Sequence, residues 1–220
     1  MRIAVVGSSG SGKSTLARRL AAELSVPHIE LDAINWQAGW KDLNSHDPDE
    51  FVRRVAAAVG QDAWVSDGNY GKVRDLVWNR ATHLVWLDYE RRVIMPRVIR
   101  RSIARAVDRT ELWPGTGNRE DWRMWFSKEH PIRWAWDTWA RRRAEYAGRI
   151  ADPRFSHLQV HRLRHPREAE GLAGRLDPPH FGGGGSAHSA ETEGDCSSSS
   201  GSQGPPQSAT RTAPPEGEHV

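Results

Sequence analysis

The chain has 220 residues, enough for one domain with an appendage but short for two complete domains. Its single cysteine, Cys196, excludes internal disulfides and thiolate zinc sites, and no apolar run approaches the ~18 residues that span a bilayer, so we expect a soluble, cytoplasmic protein. The net charge of +3 hides a basic stretch over residues 91–143, which is typical of ligands that carry phosphate and also of solvated helix faces.

The first half of the chain alternates short apolar runs with helical patterns. Residues 2–6 form a β-branched run closed by Gly7, which predicts a buried strand. Leucines at four-residue spacing then predict a helix that ends before Pro27. The same patterns predict strands at residues 28–31, 64–66 and 83–87 and helices at residues 49–59 and 72–79.

A long helix is predicted from about residue 90 to residue 107, with Pro96 kinking it or delaying its start. It carries two rows of side chains at four-residue spacing. The basic row is Arg97, Arg101, Arg105 and Arg109, and the apolar row, roughly opposite, is Met95, Ile99, Ile103 and Val107. The basic row fits a phosphate clamp, a nucleic-acid track or a solvated face, and we favour the clamp because guanidinium groups bind phosphate through paired hydrogen bonds.

The last third of the domain contains a loop rich in Pro and Gly, two more helices and a strand. We interpret residues 108–130 as a lid, and Pro131 opens a helix whose Trp136 and Trp139 are predicted to be in the core. A fifth strand at residues 158–163 and a helix at residues 167–175 complete a folded domain over residues 1–176. Strands that alternate with helices throughout predict a three-layer α/β fold with a mostly parallel sheet.

The remaining residues, 177–220, have a different composition. Half of them are Gly, Ser or Pro, and none is Leu, Ile, Trp or Tyr. Such a segment buries too little apolar surface to offset its chain entropy, so we predict a disordered C-terminal tail.

The segment between the first strand and the first helix matches the pattern G-x-x-x-x-G-K-[ST]. Its glycines allow backbone N–H groups to turn inward around a polyphosphate, and the positive end of the following helix adds to the attraction. A dinucleotide fingerprint does not fit, because no third Gly or Ala follows. The predicted ATP-binding residues are Gly7, Ser9, Gly10, Ser11, Gly12, Lys13, Ser14 and Thr15.

Within this loop, three side chains have separate predicted roles. Lys13 reaches the β- and γ-phosphates, Ser14 binds Mg²⁺ through its hydroxyl, and Thr15 contacts the α-phosphate. Two carboxylates that follow strands are predicted to join them, since ligands bind at the carboxyl ends of parallel strands. Asp67 binds Mg²⁺ through water and Asp32 orients or deprotonates an acceptor hydroxyl, with helix capping or a surface turn as the alternative for each.

Several motifs together resemble one family. They are the loop just described, His28-Ile-Glu-Leu-Asp32 with Trp36, Asp67-Gly-Asn-Tyr70, Glu111-Leu-Trp113 and Gly117-Asn-Arg-Glu120. Over residues 1–175 the sequence resembles the adenylate-kinase-like P-loop proteins labelled DNA topology modulation proteins. The resemblance implies a P-loop nucleoside-triphosphate hydrolase fold with a five-stranded parallel sheet, an acceptor-binding region after the second strand and a helical, arginine-bearing lid over ATP.

The resemblance also implies roles for residues outside the loop. Arg101, Arg105 and Arg119 fall where such proteins carry lid arginines, and Arg164 begins a stretch that resembles the loop packed on the adenine ring. After Asp67 and Gly68, this chain has Asn-Tyr where adenylate kinases have Phe-Pro-Arg, so the resemblance does not extend to an AMP site.

These observations favour an ATP- and Mg²⁺-dependent kinase that moves the γ-phosphoryl group to a small acceptor, either a nucleotide or another hydroxylated metabolite. One alternative is a nucleic-acid-associated ATPase or an ATP-switched binding protein that uses the arginine row, and another is a polynucleotide end kinase. His157, His161 and His165 are spaced four apart, and we interpret them as packing or surface residues rather than as metal ligands.

Overall fold

The computed structural model describes residues 1–120 and 131–176. The chain divides into two units, Met1–His180 and Phe181–Val220, and the second lies outside the described residues. The predicted tail and residues 121–130 of the predicted lid also lie outside them, so the domain boundary at residue 176 stays a prediction. None of the helices in the two described ranges combines the length and the apolar character needed to cross a bilayer.

Five strands form one sheet in which every neighbouring pair is parallel, as predicted. The sheet order is β2-β3-β1-β4-β5, and the strands are β1 (Arg2–Gly7), β2 (His28–Glu30), β3 (Trp64–Asp67), β4 (His83–Leu87) and β5 (Gln159–Leu163). Glu30 and Asp67 are register partners at the ends of β2 and β3. The two carboxylates therefore come from neighbouring strands at the same edge of the sheet.

Within the described residues, seven α-helices connect and cover the strands: α1 (Lys13–Glu23), α2 (Leu31–Asn35), α3 (Leu43–His46), α4 (Pro48–Val59), α5 (Gly71–Arg80), α6 (Arg91–Asp108) and α7 (Pro131–Ile150). The sequence patterns did not predict α2 and α3, because helices of five and four residues are too short to show a period. Pro96 lies inside α6, which begins at Arg91, so the proline does not delay the start of this helix.

The predicted final helix over residues 167–175 is wrong in detail. The structure has two short 3₁₀ segments there, Pro166–Ala169 and Ala173–Arg175. Gly171 lies between them with a φ of 64°, in the left-handed region that interrupts a right-handed helix.

The core consists of two layers, one on each face of the sheet. Ala4 and Val6 belong to the layer under α4 and α5, whereas Ile3 and Val5 belong to the layer under α1 and α6. Successive strand residues point to opposite faces, so this alternation shows that β1 is buried on both sides. The predicted three-layer α/β fold is confirmed.

The buried face of α6 differs from the predicted one. Ile94, Val98 and Ser102 are buried, whereas Ile99, Ile103 and Val107 in the predicted apolar row are 39%, 45% and 74% exposed. The helix packs on the loop between β1 and α1, where a Cβ added to Gly10 would lie 2.9 Å from the Cβ of Val98. Arg101 and Arg105 lie along this face, so the buried face of α6 does not coincide with its most apolar row.

One of the two tryptophans predicted to be in the core of α7 is also placed differently. Trp136 is 53% exposed, and the Arg91 guanidinium lies 4.8 Å from its ring centroid. Trp139 is half-buried, and its Nε1 donates a hydrogen bond of 2.9 Å to the Tyr89 carbonyl. The contact with a guanidinium group stabilises an indole ring that is not packed in the core.

Candidate active site

The loop between β1 and α1 has a backbone suited to an anion. Gly10 and Gly12 have φ values of 81° and 94°, a region that glycine adopts without strain. No side chain among the described residues caps the N-terminus of α1. The first N–H groups of this helix are therefore free to bind a phosphate.

Lys13 at the start of α1 is the central cation of this loop. Its Nζ donates a hydrogen bond of 3.1 Å to the Ser8 carbonyl. Burial lowers the pKa of Lys13 to about 8, although Asp32 and Asp67 act in the opposite direction. The charges of Arg142 and Arg101 add to the lowering. A bound polyphosphate would supply the negative charge that these cations lack.

Ser14, Asp67 and His28 form a chain of hydrogen bonds beside Lys13. The Ser14 hydroxyl donates to Asp67 Oδ2 at 2.6 Å, and His28 Nε2 lies 2.7 Å from Asp67 Oδ1. A hydroxyl and a carboxylate are the hard oxygen ligands that Mg²⁺ takes together with substrate phosphates and water. Ser14 and Asp67 therefore fit the predicted magnesium role, and His28 is a partner that the sequence analysis did not identify.

Asp32 lies in the first turn of α2 and lines the cavity beside the loop. Its Oδ1 accepts a hydrogen bond of 2.6 Å from the Tyr70 hydroxyl, and the Tyr70 ring packs edge-on against Phe51. Burial, followed by the charge of Asp32, raises the pKa of Tyr70, so the phenol keeps its proton and remains a donor. Tyr70 therefore orients the Asp32 carboxylate.

Asn69, from the Asp-Gly-Asn-Tyr motif, connects the loop to the opposite side of the domain. Its Nδ2 donates to the Gly7 carbonyl at 2.5 Å, and its Oδ1 accepts from the Tyr146 hydroxyl on α7 at 2.5 Å. Gly7 itself does not line the cavity. Gly7, the first residue of the loop, is thus held in place through its backbone carbonyl by Asn69.

Arginines of α6 turn toward the same loop. Arg101 donates from Nη2 to the Ser9 hydroxyl at 3.2 Å, and burial, followed by the charge of Arg105, lowers its pKa. Its Nε is buried and has no partner within the described residues. Arg105 lies 3.9 Å from the carboxylate of Glu120. Arg101 therefore has a buried donor free for an anion, as a phosphate clamp requires.

Arg142 on α7 is a further cation that the sequence analysis missed. Its Nε and Nη1 are buried without a partner in the described part of the chain, and its charge lowers the pKa of Lys13. In the sequence it is the middle one of three consecutive arginines. It lies on the same face of α7 as the buried Tyr146, four residues later, and this position distinguishes it from its neighbours.

A cavity of about 850 Å³ opens over the loop, and Lys13, Ser14, Asp32 and Arg101 line it. We call one part of its lining the basic wall, which consists of Lys13, Arg97, Arg101 and Arg105. We call another part the tryptophan wall, which consists of Glu30, Asp32, Trp36, Trp40 and Trp113. The cavity therefore has a cationic lining and an acidic, aromatic lining in one space.

The tryptophan wall is assembled from distant segments. Trp36 and Trp113 stack with ring centroids 6.1 Å apart, and Trp40 meets both edge-on. The buried Asn118 holds the segments together, since its Oδ1 accepts from the Trp40 N–H at 3.0 Å and its Nδ2 donates to the Gln37 carbonyl at 2.9 Å. The Gly-Asn-Arg-Glu motif therefore carries a positioning residue for this wall.

Two predicted arginines lie elsewhere. Arg119 is exposed, forms an antiparallel backbone bridge with Glu111 and does not line the cavity. Arg164 is also exposed, and its backbone N–H donates to Glu168. Pro166, within the predicted stretch from Arg164 to Arg167, does line the cavity, as does Ala169 beyond that stretch.

The three spaced histidines have packing partners. His161 stacks on His83 with ring centroids 5.6 Å apart, and His157 Nε2 lies 3.2 Å from the Trp78 carbonyl. His165 accepts a hydrogen bond at Nδ1 from the Arg167 N–H. No group of three or more His, Cys, Asp or Glu side chains in the described ranges could hold a metal ion.

Comparisons with known proteins give only coarse likenesses. No family model matches the chain, and no curated protein matches it. Among solved structures, shikimate kinase from Bacteroides thetaiotaomicron is 16% identical, with a TM-score of 0.44 over 80% of this chain and 96% of that one. Gluconokinase from Sinorhizobium meliloti 1021 is 18% identical, with a TM-score of 0.43 over 80% and 92% of the two chains.

A sugar kinase from Janibacter sp. HTCC2649 is 21% identical, with a TM-score of 0.44 over 79% of this chain and 90% of that one. The comparisons do not confirm the label of DNA topology modulation. At these identities and TM-scores, any functional assignment depends on the side chains of this chain.

Proposed function

We propose that the protein is a kinase that transfers the γ-phosphoryl group of ATP, with Mg²⁺, to the hydroxyl of a small molecule. The observation that carries this proposal is the presence of Lys13 and Asp32 in one cavity. A cation suited to phosphate and an oriented carboxylate suited to a hydroxyl proton are the two groups that phosphoryl transfer between oxygens requires.

The free donors of the site support the ATP half of the proposal. The N–H groups at the start of α1 have no capping side chain, and Arg101, which lines the cavity, has a buried Nε without a partner in the described residues. Buried donors without partners are costly, and an anion with many oxygens would satisfy them. Lys13 would neutralise the γ-phosphate, where negative charge accumulates during transfer.

Ser14 and Asp67 would hold Mg²⁺, which supplies positive charge between the β- and γ-phosphates. Asp67 is 2% exposed and already oriented by His28 and Ser14, so this ligand is fixed before any ion arrives. His28 is thus a positioning residue for Asp67.

The transfer itself balances without any further reactant. The acceptor oxygen forms a bond to the γ-phosphorus while the bond from that phosphorus to the β–γ bridging oxygen breaks, which releases ADP. The proton of the acceptor hydroxyl passes to the Asp32 carboxylate, and the Tyr70 hydrogen bond holds that carboxylate in place. Catalysis consists mostly of positioning and charge neutralisation.

We assign supporting roles to three further arginines. Arg105 on α6 and Arg119 in the lid would contact phosphate oxygens, and the stretch from Arg164 to Arg167 would pack on the adenine ring. Arg105 and Pro166 line the cavity, which supports the roles of Arg105 and of this stretch, whereas the role of Arg119 rests on the family resemblance alone. A requirement for ATP agrees with the cytoplasmic location that we expect.

The test is ADP release from Mg·ATP by the wild-type protein and by Lys13→Ala, with small hydroxylated acceptors and with single-stranded DNA. We expect one acceptor class to stimulate the wild type, and we expect Lys13→Ala to lose about 10³-fold in turnover, because a preorganised charge is removed. The melting temperature of the variant checks its fold. Unchanged turnover in folded Lys13→Ala, or stimulation by DNA alone, would contradict the proposal.

A further inference from the structure

The tryptophan wall has a charge opposite to that of the basic wall. Its two carboxylates are Glu30 and Asp32, and among the described residues the cation nearest to Glu30 is Arg18, at 3.8 Å. The Arg18 side chain is 67% exposed, so solvent screens its charge. The wall therefore presents a surplus of negative charge to whatever occupies it.

Glu30 lies close to two other carboxylates, Asp67 and Asp32. Burial raises the pKa of Glu30 above its ordinary value, and the charges of Asp67 and Asp32 raise it further. The Trp113 indole and the charge of His28 act in the opposite direction on this pKa. A positively charged ligand at this place would relieve the repulsion among the three carboxylates.

The three indoles add a second feature with the same preference. Trp36, Trp40 and Trp113 are packed on one another and line the cavity. The face of an indole ring carries negative charge density and attracts ammonium and guanidinium groups, and among aromatic side chains tryptophan does this best. Indoles combined with carboxylates form the kind of surface that recognises organic cations.

We propose that the acceptor is a small hydroxyl compound that also carries a positive charge, such as an amino alcohol or an amino sugar. This inference rests on the proposed kinase function. The hydroxyl would lie at Asp32, and the cationic group would lie against the indoles and Glu30. During transfer the cationic group keeps its charge and its protons, and only the hydroxyl oxygen forms a bond to phosphorus.

Anionic acceptors do not fit this wall. A nucleoside monophosphate or a sugar acid would bring its negative charge toward Glu30 and Asp32. Of the arginines that line the cavity, Arg18 is the one paired with Glu30, and its exposed charge is screened by solvent. Arg101 and Arg105 belong to the basic wall, where the first contacts Ser9 and the second pairs with Glu120. The charge of the wall therefore selects against these compounds as well as in favour of cations.

The test uses matched probes that differ in charge. Choline is compared with its neutral isostere 3,3-dimethylbutan-1-ol, and glucosamine is compared with glucose and gluconate. Calorimetry with the full chain and a non-hydrolysable ATP analogue measures binding without turnover. We expect the cationic member of each set to bind about tenfold more tightly than the neutral one, and the anionic member to bind most weakly.

Two variants locate the effect. Glu30→Gln keeps the size and polarity of the side chain but removes its charge, and we expect it to abolish most of the preference for the cation. Trp40→Leu is the second variant, and it tests the same cation preference if Glu30→Gln does not fold. The matched controls are Glu90→Gln and Trp136→Leu, which change exposed residues outside the cavity and should leave the preference intact.

The outcomes separate this inference from the kinase proposal. Equal or tighter binding of the neutral or anionic probes, or no binding of either cation, overturns the inference. If Lys13-dependent transfer to another acceptor is observed in that case, the proposed kinase function still holds. A cation preference that Glu30→Gln removes supports the inference. The same cation preference without any Lys13-dependent transfer contradicts the proposed kinase function and shows only that the cavity binds organic cations.

Discussion

The basic wall and the tryptophan wall share one cavity but are built in different ways. The basic wall combines Lys13, from a continuous loop at an uncapped helix N-terminus, with arginines from one helix. The tryptophan wall combines side chains from segments about eighty residues apart, which Asn118 holds together. The first construction suits any triphosphate, whereas the second depends on individual side chains and can therefore select one acceptor.

The largest effect that separates the two walls is expected from Asp32→Asn. The amide cannot accept the hydroxyl proton, so we expect transfer to fall by about 10²- to 10³-fold. The affinity for ATP should change little, because the loop and its cations are intact. Acceptor-dependent ADP release and the Kd for ATP measure the two effects, and Asp137→Asn on the exposed side of α7 is the control.

Equal losses in both quantities would contradict the division between the walls. Such a result would mean that Asp32 acts on ATP, through its interaction with Lys13, rather than on the acceptor.

A smaller effect is expected from Asn118→Ala, which removes both hydrogen bonds that hold the tryptophan wall. Each bond is worth about 1 kcal/mol, so we expect the KM for the acceptor to rise about tenfold. The Kd for ATP should stay within about twofold, since Asn118 does not touch the basic wall. A loss of ATP binding that matches the loss of acceptor binding would show that the walls are not independent.

Arg142→Gln tests a cation that acts on Lys13 without lining the cavity. We expect the affinity for ATP to fall by about tenfold, because a positive charge close to Lys13 is removed. We also expect the ligand-free protein to melt at the same or a higher temperature, because the variant removes two buried nitrogens without partners in the described residues. Arg141→Gln, an exposed neighbour, should change neither property. A large loss of stability with unchanged ATP affinity would make Arg142 a structural residue.

The smallest effect is expected from pH. The pKa of Lys13 is lowered to about 8 in the ligand-free protein, so its charge is present below this pH and is lost above it. A polyphosphate favours the charged form, so ATP affinity should be highest below pH 8 and fall as the pH rises through it. A series of ATP titrations measures this dependence.

The stability of the ligand-free protein should change in the opposite direction. Between about pH 8 and the ordinary pKa of 10.5, the unfolded chain keeps the lysine proton that the folded chain has lost. The contribution of Lys13 to stability therefore rises with pH in this window. Lys13→Arg should remove both dependences, and a wild-type affinity that stays constant through pH 8 would contradict this account of Lys13.

The sequence revealed the basic wall better than the tryptophan wall, and the reason is physical. The loop that supplies Lys13 is a local motif, and Arg97, Arg101 and Arg105 recur at regular four-residue spacing. In the tryptophan wall only Asp32 had such a signal, because it follows a strand of the parallel sheet. The contact between Asn118 and Trp40 has no local signal, because it depends on how two distant loops fold over each other. Arg142 and the buried face of α6 were missed because, in a sequence, buried polar side chains on a helix cannot be distinguished from polar side chains that face solvent.

The most direct test of the central claim follows the label from γ-³²P-ATP in the wild type, Lys13→Ala and Asp32→Asn. The account predicts that the label appears on a small hydroxyl compound with the wild type only. It also predicts that Asp32→Asn still binds ATP and that Lys13→Ala binds it poorly. Label released only as inorganic phosphate, or equal transfer by folded Lys13→Ala, would contradict the assignment of this cavity to phosphoryl transfer.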